Sequence, residues 1–133
     1  MKIPHPMIRW CMLCSVCANT AYSVCSPLLP IEFAHHGIVS SLVGMTFSFY
    51  SLGNIVMPPF IGKYIDRIGH QNLISGALGT MGVSFICFGF IEDMENKLNI
   101  VILSMVLRLI HGITCTTNAT TCYSTLMNEF PAE

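Results

Sequence analysis

The chain has 133 residues, of which 53% are hydrophobic and only 10% charged, with a formal net charge of −1. Soluble domains carry roughly 25% charged residues, so most soluble folds are excluded, and the near-neutral balance leaves neither a basic surface for nucleic acid nor an acidic solvating tail. A mean hydropathy of +0.63 makes the lipid bilayer the partner that the composition implies.

A membrane-spanning helix needs about 20 predominantly apolar residues, and four stretches meet that: Trp10 to Leu29, Leu42 to Ile61, Leu73 to Ile91, and Leu98 to about Met127. The expected fold class is therefore all-α, a polytopic membrane protein with four transmembrane helices. Strands of a membrane barrel would be about half as long and would alternate apolar with polar residues, and these runs do not.

Lys2 and Arg9 precede the first run, and Ala18 and Ala21 lie within it, so a cleaved signal peptide is the rival reading of this end. The unbroken run to Leu29 is long for a signal core, and we read it as a span. At about 100° per residue Ser15, Asn19, Tyr22, Ser23 and Ser26 share one side of its helix, which should face protein or water. Next comes an expected loop from Pro30 to Ser41. Its His35 and His36 are adjacent, so their side chains diverge, and with no third ligand evident a solvated loop is expected there rather than a metal site.

In the second span Gly44, Ser48 and Ser51 form a small-residue face, while Pro58 and Pro59 should kink or loosen its last turns. A loop from Gly62 to Asn72 carries Lys63, Asp66 and Arg67. The third span carries Ser75, Gly76, Gly79 and Gly82, a surface that would let another helix backbone come close. A short loop with Glu92, Asp93, Glu95 and Lys97 follows. Lys2, Arg9, Lys63 and Arg67 thus fall on one side of the membrane and Lys97 on the other, so the positive-inside rule places both ends of this chain and the Gly62 to Asn72 loop in the cytoplasm.

The fourth span holds the sharpest polar stripe: Arg108, His111, Cys115, Asn118 and Cys122 follow the i, i+3, i+7, i+10, i+14 pattern. A mid-span Arg costs about 2.5 to 3.5 kcal/mol on insertion scales and is usually turned into a bundle or an aqueous cavity. Two readings stand. Arg108 lines a solute pathway, or it is structural, bonded to helix carbonyls or snorkelling to the interface, since the predicted spans contain no Asp or Glu to pair with it. The sequon Asn118-Ala119-Thr120 lies inside this span and should be silent.

All seven cysteines, Cys11, Cys14, Cys17, Cys25, Cys87, Cys115 and Cys122, fall in apolar runs, where thiols mostly pack; Cys11, near a predicted boundary, is a candidate for palmitoylation. The overlapping C-x-x-C spacing of Cys11, Cys14 and Cys17 lacks the second pair a zinc site needs. With no phosphate-binding glycine loop and no Ser, His and acid set, neither enzyme activity nor a cofactor nor a metal is expected.

Gly62-Lys63-Tyr64-Ile65-Asp66-Arg67-Ile68-Gly69 resembles the G-x-x-x-D-R-x-G signature of the major facilitator superfamily, and it lies between the second and third spans, where that superfamily carries it. Arg108-Leu109-Ile110-His111-Gly112 resembles the superfamily's R-x-x-x-G pattern in the fourth helix, and Glu129-Phe130-Pro131 resembles the segment after it. Pro27-Leu28-Leu29-Pro30, then Leu42, Val43, Gly44 and Phe47, look most like the branch of vesicular amine and polyamine transporters. The resemblance implies a secondary transporter with a small-molecule substrate, a cationic amine if the branch holds. It implies a cytoplasmic gate at Gly62, Asp66, Arg67 and Gly69, and a substrate pathway along Asn19, Tyr22, Arg108, His111 and Asn118.

The chain departs from the pattern at His70 and Gln71, where the family often has basic residues, and at Thr114, Cys115 and Thr116, where it has small ones. Family members usually have twelve spans in two halves. Four spans make an incomplete bundle, expected to be the N-terminal part of a longer transporter that works with C-terminal helices of the same protein. The alternative is a non-transporting tetraspan scaffold or a truncated product. A four-helix multidrug exporter would need a Glu in the first span, and Trp10 to Leu29 has none.

Overall fold

The computed structural model describes residues 6–91, 94 and 96–129, and among them the regular elements are helices: α1 (Pro6–His35), α2 (Ser40–Val56), α3 (Pro58–Ile68), α4 (His70–Gly89) and α5 (Lys97–Glu129). Three have the length and apolarity to cross a membrane, over Arg9–His35, His70–Gly89 and Lys97–Met127. The charges of the expected loop at Glu92, Asp93 and Glu95 lie outside the described residues, as do Lys2, Phe130 and Pro131.

Two expected loops are corrected. The first helix does not stop at Leu29: it runs through Pro27 and Pro30 to His35, leaving only residues 36–39 as the link to α2. Each Pro forfeits one backbone hydrogen bond, but ending a helix in apolar surroundings would strand several more polar groups. Its end is closed by Gly37, whose φ of 64° is the left-handed conformation glycine adopts without strain. The Gly37 N–H donates to Ala34 O at 3.1 Å and the Ile38 N–H to Phe33 O at 2.8 Å. These are the two bonds of a Schellman motif, and Ile38 and Phe33 belong to the same apolar cluster, as that motif favours.

The second correction concerns the second span, which is two helices. Met57 stays in the right-handed helical region, but Pro58 and Pro59 bring no N–H donors, so α2 ends and α3 starts with Pro at its first positions. At 17 residues α2 is about 25 Å long, short of the roughly 30 Å hydrocarbon thickness. In α3, Ile61 and Ile65 are buried one helical turn apart, while Lys63, Asp66 and Arg67 are exposed. The segment expected as a Gly62 to Asn72 loop is therefore helical on both sides of Gly69, where φ 86° and ψ 142° make the turn into α4.

Asn96 caps α5, its Oδ1 accepting from the Leu98 N–H at 3.1 Å. At 33 residues α5 is the longest helix; it packs chiefly against α2 and α4 and also touches α1 and α3. The interior is polar where a soluble protein's would be apolar: Thr46, Ser84, Ser104, Arg108, His111, Thr117, Asn118, Thr121 and Thr125 are buried, whereas Trp10, Ile55, Val83, Ile86 and Phe90 are exposed. Most of these hydroxyls are satisfied within their own helix, as Thr121 Oγ1 is by Thr117 O at 2.7 Å and Thr125 Oγ1 by Thr121 O at 2.8 Å. An apolar core closes one end of the bundle, built from Leu29, Phe33, Ile91, Ile100, Val101 and Leu107.

Candidate functional site

The α2–α5 crossing positions the site. A Cβ on Gly53 would lie 2.8 Å from Leu109 O and 2.9 Å from the Ile113 N, and a Cβ on Gly112 would run into the Tyr50 carbonyl oxygen, with Tyr50 Cα 3.2 Å away. The two glycines thus let the helix backbones touch. Gly44, Gly76, Gly79 and Gly82, the small residues expected to admit another helix, have nothing within 4 Å of a Cβ among the described residues. Helical spacing found the small-residue faces, but not which of them another helix occupies.

Close approach of α2 brings Tyr50 against Tyr22 of α1, the rings stacked with centroids 4.7 Å apart. Both edges meet His111 of α5, at 5.7 Å and 5.8 Å, and Phe85 of α4 meets it from the other side at 4.9 Å. One turn earlier on α5, the Arg108 guanidinium lies 4.9 Å from the Phe47 ring, 5.5 Å from Phe88 and 5.8 Å from Tyr22. Arg108 is fully buried and His111 is 1% exposed. A desolvated cation over an aromatic face gains about 2 kcal/mol, so two such contacts already offset the roughly 2.5 to 3.5 kcal/mol cost of holding an Arg in a span. His111 Nε2 and Ser104 Oγ are buried and make no hydrogen bond among the described residues.

Of the expected pathway residues, Tyr22, Arg108 and His111 come together. Asn118 is buried on α5 two turns further on, where it accepts a weak hydrogen bond from the Cys122 thiol at 3.8 Å. Asn19 is not in the cluster: it is exposed, and its side chain donates to Ser15 O of its own helix at 2.8 Å. The buried stripe of α1 runs instead through Cys11, Ala18, Leu29 and Phe33, beside the polar side expected from the sequence.

Phe47, Tyr50, Phe85 and Phe88 are wall residues that helical spacing of polar groups did not single out. Their signal is an aromatic pair at i, i+3 on each of two spans, which supplies adjacent rings on one face. A polar joint of α2 with α5, the Thr116 hydroxyl donating to Asn54 Oδ1, lies outside the expected stripe of α5. Phe85 and Phe88 border a cavity of about 510 Å³ between α1, α4 and α5, otherwise lined largely by Leu28, Leu29, Phe33 and Ile91, with Glu32 and Ser104 as polar groups.

The expected gating residues sit on α3 and its turn. Gly62, Asp66 and Arg67 are exposed, Gly69 is half-buried, and neither Asp66 nor Arg67 makes an ion pair among the described residues. Beside the turn, His70 Nε2 lies 3.4 Å from Ser124 Oγ, joining the start of α4 to the end of α5. The six described cysteines are free thiols, with Cys11 and Cys122 buried and in contact through the Cys122 thiol and Cys11 O at 3.6 Å.

Comparison with known proteins finds that the profile of the Major Facilitator Superfamily matches residues 11–133. The chain is 24% identical over 110 residues to the MFS-type transporter SLC18B1 of Mus musculus, covering 83% of this chain and 24% of that protein. It is equally similar to the Rattus norvegicus protein of that name, and 22% identical to the Homo sapiens one over the same shares. The chain thus spans about a quarter of the length of the curated relatives it matches. No solved structure matches it significantly.

Proposed function

Because the chain belongs to the Major Facilitator Superfamily, a family of multi-pass membrane transporters, we propose that it forms the N-terminal four-span part of a longer secondary transporter that moves a small solute by alternating access. In this reading residues 1–133 are one portion of the transporter domain, α2 and α3 together make the second span, and helices of the same protein outside this chain complete the pathway. Both ends of the chain and the α3–α4 turn face the cytoplasm, supported by the basic residues Arg9, Lys63 and Arg67 on that side. The open glycine face of α4 is where a further helix packs. Non-enzymatic transport fits the family to which the chain belongs.

The observation that carries the reading is the buried Arg108 and His111 pair, walled by aromatic rings from α1, α2 and α4 at mid-helix. Ionisable residues inside a span commonly mark a solute pathway, and the neighbouring cavity has the size of a small solute. We place the substrate against Tyr22, Tyr50, His111 and Phe85. If it is the cationic amine that the branch implies, the ring faces attract it, and Arg108 repels it from the next turn, which fixes the end at which its charge sits. Asn19 and Asn118 line the path further along. Gly62, Asp66, Arg67 and Gly69 form the gate, the exposed Asp66 and Arg67 being available to latch onto the other half.

The test is uptake of a labelled polyamine into proteoliposomes holding the protein encoded by the complete reading frame. Arg108→Lys keeps the charge but loses the flat stacking surface, so uptake should fall at least tenfold with helicity unchanged; wild-type uptake in that variant would overturn the pathway. The scaffold alternative draws on the same exposed α4 face. It is favoured if Asp66→Lys breaks a partner complex while no flux is detected or changed.

A further inference from the structure

We propose that Glu32, His35 and His36 bind a divalent transition-metal ion of the zinc class at the C-terminal end of α1. The three residues offer one carboxylate oxygen and two imidazole nitrogens whose atoms all lie within 4.8 Å of one another. One edge of the site is already closed, with His36 Nε2 3.1 Å from Glu32 Oε1. In a tetrahedral shell with bonds of about 2.0 to 2.1 Å, ligand atoms stand about 3.3 Å apart. The two separations that involve His35 lie within 4.8 Å, and His35 is exposed, so its ring has room to turn toward the other two.

The local fold fixes how the adjacent histidines stand to Glu32. His35 is the last helical residue and His36 the cap, whose N–H still donates to Glu32 O at 3.1 Å, so both keep the helical register with Glu32, and the chain departs only at Gly37, in the Schellman turn bonded to Ala34 O and Phe33 O. The two rings stand edge to face, with centroids 5.5 Å apart. Glu32 one turn back completes an i, i+3, i+4 set. Phe33, between the ligands, is fully buried in the apolar core and anchors the turn.

Donor chemistry selects the metal class. Two neutral imidazoles with one carboxylate suit zinc and its first-row neighbours, whereas calcium and magnesium need oxygen shells. A cation at this point also meets the negative end of the α1 dipole. Lys97 is the opposing charge, its Nζ lying 3.5 Å from where a Cβ on Gly37 would sit; its flexible stem allows the ammonium to withdraw to water. Three protein ligands leave at least one position open, so the ion can exchange. Glu32 also borders the cavity beside the Arg108 cluster, but the metal site does not rest on the transport reading.

The test is titration of the whole protein in detergent with Co²⁺, followed by absorbance, and with Zn²⁺ against a chelating dye. We expect one saturable site whose cobalt spectrum lacks a thiolate charge-transfer band. Glu32→Gln, His35→Ala and His36→Gln should each weaken it at least tenfold and the triple variant should abolish it, with helicity by circular dichroism unchanged. Absence of saturable binding, undiminished binding in the triple variant, or a thiolate band that marks the cysteines as the ligands would each overturn the proposal.

Discussion

Adding one methyl group at Gly112 separates tight helix crossing from mere small-residue composition. A Cβ there meets Tyr50 backbone atoms, the carbonyl carbon at 3.1 Å and Cα at 3.2 Å besides the oxygen, and none of these is the end of a flexible side chain. Carbon contacts relax at about 3.5 to 4.0 Å, so α2 must move away by at least about half an ångström. Overpacking of this kind costs about 1 to 3 kcal/mol, and backbone on both sides puts Gly112→Ala at the upper end. Working against that is the gain of about 1 kcal/mol from replacing a helical Gly by Ala. The expected net is a loss of about 2 kcal/mol. The shift would also move Tyr50 off Tyr22 and His111, since Tyr50 supplies the atoms that clash.

In the 133-residue chain Gly79→Ala is the control, because there the position has no atom within 4 Å of a Cβ and lies in an equally regular helix. It should be neutral to about 1 kcal/mol stabilising. Equilibrium unfolding in mixed micelles, read by circular dichroism, measures the difference between the two variants, which should be about 2 to 3 kcal/mol. Gly53→Ala should side with Gly112→Ala, since its Cβ would sit 2.8 Å from Leu109 O. Equal stability for Gly112→Ala and Gly79→Ala would refute the close α2–α5 crossing, and with it the arrangement that brings four helices to His111.

The two glycines that bracket Asp66 should behave differently despite their shared motif. Gly69→Ala places a side chain at φ 86°, ψ 142°, and should cost about 1 to 3 kcal/mol, whereas Gly62→Ala, helical and open, should be neutral or slightly stabilising in the same unfolding assay. Phe33→Ala empties the centre of the apolar core and should destabilise by about 3 to 5 kcal/mol, while also loosening the turn that carries His35 and His36. A double-mutant cycle between Asn54→Ala and Thr116→Val should show coupling of about 0.5 to 1.5 kcal/mol, and additivity would place their hydrogen bond outside the native α2–α5 joint.

The all-helical membrane architecture is legible in the sequence because both of its determinants are local: runs of about 20 apolar residues and charges confined between them. Arg108 and His111 are legible for a related reason, since a polar residue in such a run advertises its own cost. What stays hidden depends on partners. Gly53 and Gly112 differ from Gly76 and Gly79 only in what faces them, and no count of small residues along one helix reports that. The prolines act differently: Pro27 and Pro30 leave α1 intact, whereas adjacent Pro58 and Pro59, each bringing no N–H, interrupt the second span where a kink is expected of them. A single missing donor is absorbed by a helix in apolar surroundings, and two in succession are not.

The same contrast governs the end of α1. Read as a loop from Pro30, the segment separates Glu32 from the histidines and leaves His35 and His36 with no third ligand. Read as a helix to His35, it puts all three on consecutive turns of one element, and Gly37 determines where the chain turns away. A single boundary, displaced by six residues from Leu29 to His35, thus converts a solvated pair into a donor set. It also brings Glu32 onto the first membrane helix, at the edge of the cavity that Phe85 and Phe88 share with the Arg108 cluster. Loss of a proline-tolerant helix at this point, for instance by Phe33→Gly, should therefore remove both the metal affinity and the cavity wall, while leaving the α2–α5 crossing to be read independently through Gly112.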